Sequence, residues 1–219
     1  MHYVSHLSKD KKLKKVIAKQ EPHSLKKRKN ICIYLCASIM SQQLSIKVAD
    51  VIYKRFIDLY GGKEPTPQQI LDTPFEKLRG IGLSNAKVNY VKNVAEFELK
   101  KGMDAKKLAK MSNEEITDYL IEIKGVGKWT IEMLLMFALG REDVFSADDF
   151  GIQSAMIKLY ELDNSDKKKF REKMIELSAP WSPYRTYACL HLWKWKDEPV
   201  KNKATVPAKK KLRPKDKIR

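Results

Sequence analysis

Cysteine is scarce in this sequence. Three thiols, Cys32, Cys36 and Cys189, cannot close a disulfide framework, and they suit a reducing compartment. Nor can they supply a four-cysteine zinc or iron–sulfur centre, so no metal or cofactor is expected. Long apolar runs are lacking too. The longest, Ile31–Met40 with one serine, is about half of the ~20 residues that cross a bilayer, and it begins too far in for an ordinary signal peptide. A cytoplasmic protein is expected, or a nuclear one in a eukaryote, with no membrane partner. Strand signals are almost absent: there is no sustained period-two alternation and no Asn-Gly hairpin. Acidic charge is short as well, with 27 Asp and Glu against 44 Lys and Arg and a net charge of +17. That balance points to a polyanion or an anionic surface.

Hydrophobic residues, at 43%, are too many for a disordered chain. The length of 219 residues suits one large domain or two small ones, at ~100–200 residues per domain. The charge is uneven. Residues 1–30 and 201–219 each carry +8, which leaves +1 for residues 31–200. A nucleic-acid site on the folded body must therefore be a local patch.

Helical punctuation is frequent. Ser45 precedes Val48, Val51, Ile52, Phe56 and Leu59 at helical spacing, and Gly61-Gly62 ends that run. Thr66-Pro67 and Thr73-Pro74 each read as an N-cap followed by proline at the first helical position. Ser84 opens a helix with Val88, Val91, Val94 and Ala95, and Ser112 with Glu115 forms a capping box. Further helices are expected over 129–139, 150–162 (capped by Asp148 or Asp149), 166–177 (capped by Ser165) and 184–196. About ten helices and an all-α fold result.

Two passages, Gly80-Ile81-Gly82 and Gly125-Val126-Gly127, place a glycine, an aliphatic residue and a glycine between helices. Such a turn folds tightly and leaves the next helix's N–H groups open to an anion. Lys128 follows the second copy and adds a cation there; Leu83-Ser84 follows the first, which reads as structural.

The segment Ile123–Met133 followed by Val144–Ile152 resembles the helix-hairpin-helix DNA glycosylase superfamily. Ser38–Ser45, Leu78–Lys87 and Pro180–Trp193 extend the resemblance to its alkylbase branch, the 3-methyladenine DNA glycosylase II type, in the family's order. The resemblance implies two helical lobes with the active-site cleft between them. It implies a basic segment 1–30 joined to the first lobe, residues 31–110 mainly forming that lobe, and 111–198 holding the hairpin, the catalytic region and the C-terminal helices. The basic tail 199–219 is expected to be disordered. A monomer is expected.

The family pattern also implies roles. Asp149 matches the catalytic aspartate. Trp129, Trp193 and Met133 match the base pocket, while Gly125, Val126, Gly127, Lys128 and Thr130 match the DNA-backbone site. Gln43, Leu44 and Gln42 fall in the loop that enters the minor groove as a wedge, Gln43 being the first choice. Trp129 stands where the strand-cleaving branch has its Schiff-base lysine, so base removal without strand cleavage is implied. A base methylated at N3 or N7 is cationic, suits an indole face, and leaves readily. The expected partner is double-stranded DNA with damaged bases. Three other readings are a glycosylase for hypoxanthine or ethenoadenine, a combined glycosylase and lyase, and a non-enzymatic DNA-binding module. Residue by residue, bland alternatives stand: Asp149 as an N-cap, the tryptophans as core, His191 as a structural histidine, and Cys32 and Cys36 as buried thiols.

Overall fold

A computed structural model describes residues 2–198, which hold thirteen α-helices, one 3₁₀ turn and no strand. The basic tail 199–219 lies outside the described residues. None of the described helices is long and apolar enough to cross a membrane.

One lobe is built on α3 (Ile31–Ser41), which buries residues around most of its circumference. An all-round apolar helix needs cover on several sides. It receives α4 (Ile46–Asp58) and α7 (Asn85–Lys101), and α7 in turn packs on α5 (Pro67–Asp72) and α6 (Phe75–Gly80). Val88, Val91, Val94 and Ala95 of α7 are fully buried. On α4 the apolar face is only half used: Ile52 and Phe56 are buried, whereas Val48 and Val51 stay exposed.

After α8 (Ala105–Ala109) and α9 (Asn113–Leu120) comes α10 (Lys128–Phe137), which lies against both α9 and α3. The second lobe pairs α11 (Phe150–Tyr160) with α13 (Arg185–Asp197), with α12 (Lys167–Ser178) and the turn Ala179–Trp181 alongside.

The N-terminal segment corrects the expected division. Its helix α2 (Lys11–Ile17) docks on α11 and α13 of the second lobe, and α1 (His2–Leu7) packs on α2 and, through Tyr3, on α13. Asp10 caps α2 with one carboxylate oxygen and accepts from Tyr160 Oη (2.7 Å) and Trp181 Nε1 (3.1 Å) with the other. Burial and Asp10 both push the Tyr160 hydroxyl up, keeping it a donor. Tyr3 stacks on Tyr187 at 4.0 Å between ring centroids. The lysines of this segment dominate its composition and mask Leu7, Leu13, Val16 and Ile17, which are buried.

Two further expectations change, and the open choice of a cap for α11 is resolved. Thr73 ends α5 instead of capping α6, whose N-cap position falls on Pro74. Asp166, not Ser165, caps α12 through two backbone amides. Asp149, not Asp148, caps α11. The helix count exceeds ten because α1, α2 and α8 are too short for a clear period.

Candidate active site

The glycine hairpin between α9 and α10 is seated by α7. Gly125 has φ +104°, and a Cβ there would lie 2.2 Å from Tyr90 Cγ, so both backbone angle and space demand glycine. Asn93 Nδ2 donates to the Lys124 carbonyl at 3.0 Å. Gly127 takes the N-cap position of α10 with no side-chain cap, and the first turn's amides sit behind the exposed Lys128. Two members of the expected backbone-binding set keep their side chains inside. Val126 is buried and its amide donates to the Ile123 carbonyl at 2.9 Å. Thr130 is also buried, its hydroxyl facing Gln42 Nε2 at 3.5 Å. Only its main-chain amide remains for an anion.

The segment from 138 to 149 is held at several points. Asp143 pairs with Arg185 and accepts from Ser182, contacts that hold its carboxyl below the usual range against the opposing effect of burial. Glu132 of α10 is buried against the Ser146 hydroxyl, and burial raises its carboxyl. The Ser146 carbonyl then accepts from the Asp149 amide at 3.2 Å. Asp148 turns away to Arg171, whose hydrogen bond depresses its carboxyl.

Asp149 is thereby delivered to the start of α11. Its Oδ1 accepts from the Ile152 amide at 2.8 Å and from Trp193 Nε1 at 2.7 Å. Its Oδ2 accepts from Trp129 Nε1 at 2.8 Å. One helix cap and two indoles from separate helices thus meet on one carboxylate. Trp193 is half-buried and leans on Phe137 with ring centroids 5.9 Å apart; Trp129 is 44% exposed. Met133 lies one turn beyond Trp129, buried, with its carbonyl accepting from Tyr34 Oη at 3.1 Å. Tyr34 lines a cavity of about 610 Å³ together with Lys27, Arg28, Asn30, Tyr53 and Glu64.

The expected wedge loop adjoins this site. Gln42 ends α3 and reaches Thr130 of α10, Gln43 is exposed with φ +59°, and Leu44 is exposed. Two participants escape the sequence reading. Gly151 leaves the space that Trp193 uses: a Cβ there would lie 2.9 Å from Trp193 Cδ1 and 3.0 Å from Asp149 Oδ1. Phe137 supports Trp193. Neither has a local signal, because both act through a helix distant in sequence. His191 is structural, as expected: Nδ1 donates to Gln20 Oε1 at 2.9 Å, and burial lowers its pKa to about 4. Cys32 and Cys36 are buried free thiols.

The family model for HhH-GPD superfamily base excision DNA repair proteins matches residues 36–180, which contain the hairpin, Trp129 and Asp149. The chain belongs to that superfamily. A DNA-3-methyladenine glycosylase of Schizosaccharomyces pombe is 37% identical over 186 residues, covering 84% of this chain and 80% of that protein. Among solved structures, the DNA-3-methyladenine glycosidase of Bacillus halodurans superposes with a TM-score of 0.77 at 36% identity, covering 90% of this chain and 89% of the other. The S. pombe 3-methyladenine DNA glycosylase, solved in complex with abasic DNA, has the same TM-score at 34% identity and covers 89% and 96%. The two-lobed all-α architecture of these glycosylases is therefore that of this chain.

Proposed function

We infer that this protein is a monofunctional DNA glycosylase. It extrudes an alkylated purine such as 3-methyladenine or 7-methylguanine from duplex DNA, hydrolyses its N-glycosidic bond and leaves an abasic site. The observation that carries this reading is the convergence of Trp129 and Trp193 on the carboxylate of Asp149, beside the glycine hairpin. Relatives named 3-methyladenine glycosylases support the substrate class.

A purine alkylated at N3 or N7 is already cationic. When the C1′–N bond breaks, its electron pair neutralises the departing base, and no acid is needed. What needs help is the positive charge developing on the sugar, together with delivery of water. Asp149 Oδ1 is committed to two donors, Ile152 N–H and Trp193 N–H, whereas Oδ2 is held only by the exposed Trp129. Oδ2 is thus the oxygen that faces deoxyribose once the flipped nucleotide turns Trp129 aside. A carboxylate held in place by several N–H donors is pre-organised to stabilise an oxocarbenium-like sugar and to orient water. The water oxygen bonds to C1′ and its proton leaves to the carboxylate or to solvent. The indole faces add a cation–π attraction of ~0.5–2 kcal/mol to a charged base. Trp129 also fills the place where an amine would attack the sugar, so the strand stays intact. Gly125, Gly127, Lys128 and the Thr130 amide grip phosphate, and Gln43 with Leu44 fills the gap in the stack.

Mass analysis of bases released from methylated duplex DNA by wild type and Asp149→Asn tests the assignment. Asparagine keeps the N-cap of α11, so the variant should fold and bind DNA. Its release of 3-methyladenine and 7-methylguanine should fall by about 10²–10³ or more. Release at the wild-type rate would show that Asp149 is not the catalyst. Failure of wild type to release any base from a panel of damaged duplexes would leave a non-enzymatic DNA-binding module.

A further inference from the structure

The first glycine turn, Gly80-Ile81-Gly82, delivers a residue to the loop that carries Gln43. Gly82 has φ +110° and Ser84 caps α7 by accepting from the Lys87 amide, which puts Lys87 in the first turn of α7. A cation there opposes the positive end of its own helix dipole, and burial lowers the ammonium's pKa. Its Nζ nevertheless turns onto the C-terminus of α3. It donates to the Met40 carbonyl at 2.9 Å and the Gln42 carbonyl at 2.6 Å. There it meets the negative end of α3 and satisfies acceptors left open by the helix end. The next residue, Gln43, holds a left-handed backbone uncommon for a residue with a side chain. From α10, Thr130 approaches the Gln42 side chain. The loop is thus tied on both sides and its tip points outward.

We propose that Lys87 is the positioning residue of the minor-groove wedge: its ammonium pins the end of α3 so that Gln43 and Leu44 stand pre-formed to occupy the space of an extruded base. The proposal rests on the glycosylase reading of the Asp149 site. Ordering the loop before DNA arrives lowers the entropy cost of inserting it. Lys87 therefore matters most where the base must be pulled from a stable pair, and least where it is already unpaired.

The test compares wild type, Lys87→Met and Lys87→Arg on N7-methylguanine placed opposite cytosine or opposite an abasic analogue, with folded fractions matched by circular dichroism. Lys87→Met should slow single-turnover excision about tenfold or more opposite cytosine and by less than about threefold opposite the analogue. Lys87→Arg, which can still donate to two carbonyls, should restore the paired substrate. Equal loss on both substrates, or no loss on either, overturns the proposal. Fluorescence of 2-aminopurine beside the lesion reads wedge insertion without excision. If wild type releases no base, the glycosylase reading fails, and this signal still decides Lys87: it should be lost in Lys87→Met and kept in Lys87→Arg. An unchanged signal in Lys87→Met overturns the proposal. Lys87→Gln carries the same comparison should the methionine variant not fold.

Discussion

Trp193 Nε1 lies 2.7 Å from Asp149 Oδ1, and that approach is possible because residue 151, between them in space, is glycine. A residue on α13 and one at the start of α11 are joined through a gap only as wide as a missing methyl group.

Gly151→Ala should separate stability from activity. Alanine in a helix gains about 0.5–1 kcal/mol over glycine, but overpacking costs ~1–3 kcal/mol. Net destabilisation of about 1 kcal/mol is expected, seen as a small fall in thermal midpoint. Base release should drop much further, about tenfold or more, because the Cβ pushes Trp193 off the carboxylate. Unchanged kinetics would mean that the Trp193 contact is dispensable.

Gly125→Ala should be far more damaging. The left-handed backbone and the 2.2 Å approach to Tyr90 Cγ predict a loss of roughly 3 kcal/mol or more in chemical denaturation. Tyr90→Ala in the same chain frees the space and leaves the backbone strain, so the double variant should recover part of that loss. Strict additivity of the two substitutions would contradict a direct clash.

The two indoles should differ in what their removal costs. Trp193 is half-buried and packed on Phe137, so Trp193→Phe, which deletes its hydrogen bond to Asp149, should lower stability by about 1–2 kcal/mol. Trp129 is exposed, and Trp129→Phe should change stability by less than ~0.5 kcal/mol. Both should slow base release. Denaturant melts alongside single-turnover rates distinguish the two patterns.

Acid should loosen the docking of the N-terminal helices. His191 is neutral when folded, with its pKa lowered from 6.5 to about 4 by burial, then by His23 and Lys194. A depressed histidine pKa contributes stability that is present above the unfolded value and is lost as pH falls through the folded one. Between pH 6.5 and 4 the loss should reach about 3 kcal/mol. His191→Asn, whose amide N–H can replace Nδ1–H toward Gln20, should flatten that part of the stability profile. An unchanged slope would place the acid sensitivity in another group.

Much of this was written in short stretches of chain. The Thr66 cap and the capping box at Ser112 appear where expected, as do the Ser45 and Ser84 caps and the helix after Gly127. Caps and apolar period depend on neighbours within one or two turns. Family motifs likewise named Asp149, Trp129 and Trp193 from their order. The lysine-rich first thirty residues misled, because charge count says nothing of the small apolar face that docks on α13.

Local spacing and caps thus located most of the helices, and the family resemblance marked which side chains to seek at the site. They were silent on Gly151, on the mate of Lys87, and on which indole meets which oxygen of Asp149. Those pairings join helices far apart in sequence. A contact across such a distance exists only after the lobes have packed, when angstrom-scale clearances, invisible in residue order, select one geometry.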